Sequence, residues 1–103
     1  MEVVITNIVK TAQGSTLTIA VEGRLDTTTS PALTKAVEES IEDVKELVFD
    51  FAKLEYISSS GLRVLLSAQK AMNSKGKMIV KNVSEIVMEI FDITGFVDIL
   101  TIE

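Results

Sequence analysis

The repeated change of hydrophobic period along this chain most limits the folds open to it. Leu17, Ile19 and Val21 alternate with Thr18 and Ala20, the two-residue period of a half-buried strand. Leu33, Val37 and Ile41, with Ala36 between them, then fall at helical spacing, while Lys35, Glu38, Glu39 and Glu42 take the other side. The period breaks again at Leu47-Val48-Phe49-Asp50-Phe51, a short apolar run that fits a buried strand. A chain that keeps switching between the two periods lays helices against a sheet.

The remaining segments extend that pattern. Val3-Val4-Ile5 and Ile8-Val9 read as a first strand, and Ala12-Gln13-Gly14-Ser15 as the turn of an antiparallel hairpin. Ser30-Pro31 marks a helix start, with a hydroxyl cap and proline at the first helical position. Tyr56-Ile57 leads into Ser58-Ser59-Ser60-Gly61 and then a largely apolar helix from Leu62 to Met72, closed by Asn73-Ser74-Lys75-Gly76. Met78-Ile79-Val80 makes the next strand. Val83, Ile86, Val87, Ile90 and Phe91 return to helical spacing, with Asn82 or Ser84 as cap and Gly95 as the C′ residue. Val97, Ile99, Leu100 and Ile102 predict a last strand. Met72, Met78 and Met88 are expected to fill gaps in the core. The expected order is β-β-α-β-α-β-α-β: an α/β domain over residues 1–103, with a mixed sheet that begins as an antiparallel hairpin and helices packed against it.

Composition closes several functional classes. With 47% apolar residues in 103, the chain can bury a proper core. It has no Cys and no His, so neither a thiolate nor an imidazole is available as nucleophile, base or metal ligand. No cofactor is indicated. Fifteen acids against ten bases, a net charge of −5, argue against nucleic acid and against an anionic membrane surface. No apolar run approaches the roughly 20 residues that span a bilayer. Met1-Glu2-Val3-Val4 lacks the basic and apolar regions of a signal peptide, so the expected location is cytoplasmic.

Three serines before Gly61, between a strand and a helix, are the most informative residues. One reading is structural: a hydroxyl caps the helix and Gly61 allows close packing. The other is a switch. A helix N-terminus offers N–H donors and partial positive charge to a phosphate, so a phosphoserine there changes the surface more than the fold. Enzymatic use of these serines has little support. The sequence around them does not match Gly-x-Ser-x-Gly, and Gly61-Leu62-Arg63 lacks the end of a phosphate-binding loop.

Gly23-Arg24-Leu25-Asp26 with Thr29 and Leu33, and Leu47 to Phe51 followed by Tyr56-Ile57-Ser58-Ser59-Ser60-Gly61-Leu62-Arg63, resemble the signature stretches of the STAS domain family. Phe91-Asp92-Ile93-Thr94-Gly95-Phe96 is similar to the family's late Thr-Gly turn. A short chain of this kind looks like a bacterial anti-sigma factor antagonist. The resemblance implies that the unphosphorylated form binds an anti-sigma factor that is also a serine kinase, releasing a sigma factor. It also implies that serine phosphorylation breaks the complex and that a metal-dependent phosphatase restores it. By that resemblance Ser59 is the phosphoacceptor, with Ser58 and Ser60 as alternatives. Ser58 stands where the family has Asp, which removes a charge beside the acceptor. The implied partner surface comprises Gly23, Asp26, Thr29, Ser58, Ser60, Gly61, Leu62 and Arg63. Many relatives continue into a final helix, whereas this sequence ends at Glu103, soon after the expected last strand. The alternative reading is a scaffold or a nucleotide- or anion-sensing module that is not phosphorylated.

Read locally, Asp26 is a turn former ahead of a threonine-rich loop. Arg63, Lys53 and Glu55 are solvated residues near the serines, and Glu38-Glu39 with Glu42-Asp43 form a solvated acidic face. Phe96 is either part of the C-cap or an exposed contact.

Overall fold

The alternation at Leu17, Ile19 and Val21 extends into the strand that organises the sheet. In the structure, a computed structural model that describes residues 7–103, β1 (Asn7–Gln13) pairs antiparallel with β2 (Thr16–Leu25). Strand β2 then runs parallel to β3 (Glu46–Asp50) through residues 16–20, and to β4 (Leu54–Ile57) through residues 23–25. Strand β5 (Lys77–Lys81) pairs parallel with β3, giving the order β1-β2-β3-β5 with β4 also on β2. The expected mixed sheet with an N-terminal hairpin is what forms. Val3-Val4-Ile5 lies outside the described residues.

Register explains the core. Leu17, Leu47 and Met78 stand side by side across β2, β3 and β5, and Ile19, Phe49 and Val80 form the next row; all six are buried. Three helices close this face: α1 (Ser30–Ser40) with Leu33 and Val37, α2 (Ser59–Asn73) with Leu65, Ala68 and Met72, and α3 (Glu85–Thr94) with Val87 and Phe91. Helix α1 packs beside α2, and α3 lies over β4. Met72 and Met78 are buried and Met88 packs against the core, as expected. Phe96 also packs there, half-buried. Ser84 Oγ accepts from Val87 N–H at 3.3 Å, and Gly95 ends α3 in the left-handed conformation.

Three expectations are corrected. Strand β4 was not foreseen, because four residues carry too little periodicity to show. The expected strand over Val97 to Ile102 does not form. Phe96–Asp98 is a 3-10 turn, and only Ile102 bridges Val80. The turn at Gly95 redirects the chain, leaving Val97 and Ile99 exposed while Leu100 is buried. Finally, Ser30 is the first residue of α1 rather than its cap. Thr29 holds the cap position, but its hydroxyl accepts from Asp26 N–H at 2.9 Å and donates to the Arg24 carbonyl at 2.8 Å, so it does not cap the helix.

Candidate functional site

The site is built where β2 and β4 end and α2 begins. Gly23 has φ 88° and donates its N–H to the Lys53 carbonyl at 2.9 Å. The β2–β4 register shifts between Gly23 and Arg24, a bulge at which a residue with a side chain would be strained. Ser58 N–H donates to the Leu25 carbonyl at 2.8 Å, fastening the start of α2 to the end of β2. Gly61 permits the close approach: a Cβ there would lie 2.7 Å from Ile57 Cγ1 and 2.9 Å from Leu25 Cγ.

The three serines have different surroundings. Ser58 occupies the cap position in extended conformation, yet its hydroxyl makes no cap bond and is buried without a partner. Ser59 is the first helical residue and is exposed. Ser60 Oγ lies 3.2 Å from Thr27 Oγ1. The expected hydroxyl cap is thus not made. By helix geometry, the N–H groups of Ser59, Ser60 and Gly61 have no acceptor within α2, and no acidic residue stands in its first turn. This end carries the helix's partial positive charge.

The threonine-rich loop lies against that end. Asp26 Oδ1 accepts from Thr28 N–H at 3.0 Å and Thr29 N–H at 3.2 Å, which is the turn role read locally. The Arg24 guanidinium lies 4.4 Å from the centre of the Tyr56 ring, and its Nε is 3.8 Å from Asp26 Oδ2. Arg63 is exposed one turn beyond Ser59. Together with Thr27, Thr34, Lys35 and Ser60 it lines an open groove of about 680 Å³ between α1 and α2. Gly61 and Leu62 are buried, so they position the helix end rather than present side chains to solvent. Lys53 and Glu55 are exposed, with Lys53 Nζ 3.9 Å from Glu22.

Below the site, Asp50 Oδ1 accepts from Asn82 Nδ2 and Ala52 N–H, both at 3.0 Å. The Asn82 bond holds the Asp50 carboxyl below the usual carboxylate range. Partial burial opposes that effect, and the Ala52 N–H and the charge of Lys81 add to it. Sequence reasoning did not foresee the Arg24–Tyr56 stack or the α1 side of the groove. Both join residues far apart in the chain, and neither leaves a local signal.

Among the described residues, no helix is long and apolar enough to cross a membrane. The STAS domain family matches residues 7–103. The putative anti-sigma factor antagonist BtrV of Bordetella bronchiseptica is 36% identical over 59 residues, 56% of this chain and 51% of that relative, so the match spans about half its length. The anti-sigma-B factor antagonist of Listeria monocytogenes is 32% identical over 89 residues, 82% of this chain and 76% of the relative. The crystal structure of an anti-sigma factor antagonist from Mycobacterium paratuberculosis superposes with a TM-score of 0.86 at 20% identity, covering 95% of this chain and 85% of that one. The anti-sigma factor antagonist SpoIIAA in its unphosphorylated form gives 0.80 at 20% identity, over 96% and 88%. These two structural likenesses concern the fold.

Proposed function

This chain belongs to the STAS domain family, with anti-sigma factor antagonists among its relatives, and on that premise we propose that it is itself a phosphorylation-controlled anti-sigma factor antagonist. Its unphosphorylated form binds an anti-sigma factor that is also a serine kinase and so frees a sigma factor. Phosphorylation of Ser59 ends that binding, and a metal-dependent serine phosphatase restores it. The partner meets Asp26, Thr29, Ser60 and Arg63, on a surface held in place by Gly23, Ser58, Gly61 and Leu62. The protein acts by binding, not by catalysis.

One observation carries the choice of serine. Of the three hydroxyl residues, only Ser59 is exposed; Ser58 Oγ is buried and Ser60 Oγ is engaged by Thr27. A phosphate on Ser59 brings about −1.5 to −2 charges to the positive end of α2, where free N–H groups and nearby Arg63 offset it. The fold tolerates that charge. A partner packed over the same spot must strip water from a dianion that these groups only partly neutralise, which costs several kcal/mol.

The test is peptide mass spectrometry on the protein from its own cells, in growth and under stress, beside a Ser59→Ala strain. The expected result is a single phosphate on Ser59 whose occupancy changes with condition. A phosphate confined to Ser58 or Ser60 overturns the assignment, and none with phosphatase inhibited overturns the switch. The second reading, a nucleotide- or anion-sensing module that is not phosphorylated, rests on the groove that Lys35 and Arg63 line together with Glu38. Nucleotide titration of the purified protein tests it.

A further inference from the structure

Helix α3 buries Val87 and Phe91, and the flank beside them, where Ile90 packs at the edge of the core, carries an unusual surface. Ile86 is 60% exposed and Ile93 is 85% exposed. With half-buried Ile90 they recur at i, i+4 and i+7, one stripe along the helix, and the following turn adds exposed Val97 and Ile99. Glu85, Glu89 and Asp92 precede these isoleucines by one residue each, so they form a parallel acidic ridge beside the stripe. All three are exposed. From Asn82 to Glu103 the sequence has five acids and no Lys or Arg, so this segment holds the whole net charge of −5. Among the described residues, Glu85, Glu89, Asp92 and Asp98 form no ion pair.

This charge pattern decides between occupants. A second copy docking by the same face would set two acidic ridges together, and an anionic membrane would repel the ridge. We infer that the α3 face binds a basic amphipathic helix of another protein. Its aliphatic stripe covers Ile86, Ile90 and Ile93, and its Lys or Arg ridge pairs with Glu85, Glu89 and Asp92. The observations behind this face are independent of those around Ser59, and the binding is indifferent to the state of that serine.

The probes are two synthetic amphipathic helices with the same leucine stripe, one flanked by Lys and the other by Glu, titrated into the isotopically labelled full chain. The Lys-flanked helix is expected to bind, with amide shift changes confined to α3 and the turn after it, and with equal affinity for the wild type and Ser59→Glu. Ile93→Ser weakens binding about tenfold, the scale of one aliphatic side chain lost from an interface. The double variant Glu89→Lys with Asp92→Lys reverses the preference toward the Glu-flanked helix. Both variants alter exposed positions, and circular dichroism verifies their fold. Equal binding of the two helices, no binding of the Lys-flanked one, or shifts elsewhere overturns the inference. So does self-association, or adsorption to phosphatidylserine vesicles, that Ile93→Ser abolishes.

Discussion

Replacing Gly61 with Ala adds one methyl group where α2 meets the strand ends, and its cost follows from the geometry there. The new Cβ would lie 2.7 Å from Ile57 Cγ1, 2.9 Å from Leu25 Cγ and 3.0 Å from Leu25 Cδ2. Neither neighbour has room to yield, since Leu25 is 0% and Ile57 1% exposed. Nor can the helix simply lift, because Ser58 N–H is bonded to the Leu25 carbonyl. Overpacking of this kind costs about 1–3 kcal/mol. The exchange of Gly for Ala in a helix returns about 1 kcal/mol. The expected net loss is up to about 2 kcal/mol, or a fall in Tm of up to about 15 °C for a domain of this size. Thermal and urea unfolding followed by far-UV circular dichroism measure it. Leu25→Ala supplies the control. It costs about 2–5 kcal/mol alone but removes the clashing atoms, so Gly61→Ala in that background becomes neutral or stabilising. An unchanged cost in both backgrounds, or a raised Tm in the single variant, would refute the steric argument.

Other consequences can be checked in the same way. Gly23→Ala forces a side chain to φ 88° at the bulge and is expected to cost about 1–2 kcal/mol in urea unfolding. Asp50 has a folded pKa below its unfolded one, so the stability it contributes is present above about pH 3.9 and lost as pH falls through the lower folded value. Asp50→Asn is therefore less stable than the wild type at neutral pH, and the gap in urea midpoints closes on acidification. Thr27→Val frees the Ser60 hydroxyl with less than about 0.5 kcal/mol of stability change. Under the proposed kinase, peptide mass spectrometry should then find phosphate on Ser60 as well as Ser59.

How much could be read from the sequence depended on whether each feature was local. Strands β2 and β5 and the three helices announce themselves because each buries one face at a regular period; β3 shows as a short apolar run buried on both faces, and β1 through the Gly14 turn that joins it to β2. Val97 and Ile99 also alternate, but Gly95 turns the chain before a strand can form, so the same local pattern misled. Ser30 looked like a cap because Pro31 follows it. The hydroxyl that holds the cap position belongs to Thr29, and it is bonded back to Arg24 and Asp26. The serine cluster stood out as a motif, and the stretches around it resemble the signature of a known family. Which serine is exposed was not, since that depends on the packing around Ser58 and on Thr27 meeting Ser60 from 33 residues away.

The placement of the serines follows from a change of register. Ala20 pairs with Asp50, thirty residues on, whereas Leu25 pairs with Ile57, thirty-two residues on. One extra residue is taken up between Asp50 and Leu54, and a second, Glu55, within β4 at the bulge between Gly23 and Arg24, two in all. An even number preserves the two-residue facing of side chains. Leu25 and Ile57 accordingly both point into the core, while Arg24 meets Tyr56 on the other face and lies 4.4 Å from its ring. Had the slip been one residue, Tyr56 would stand beside Leu25 and the core row would be broken. Asp50 stabilises the slack, its carboxylate holding both Ala52 N–H and the Asn82 side chain. The strand then ends where Ser58 N–H reaches the Leu25 carbonyl and the next residue, Ser59, opens α2 at the surface. Gly23 and Asp50 thus act on the serines without touching them, by fixing how much chain β4 has left when the helix begins.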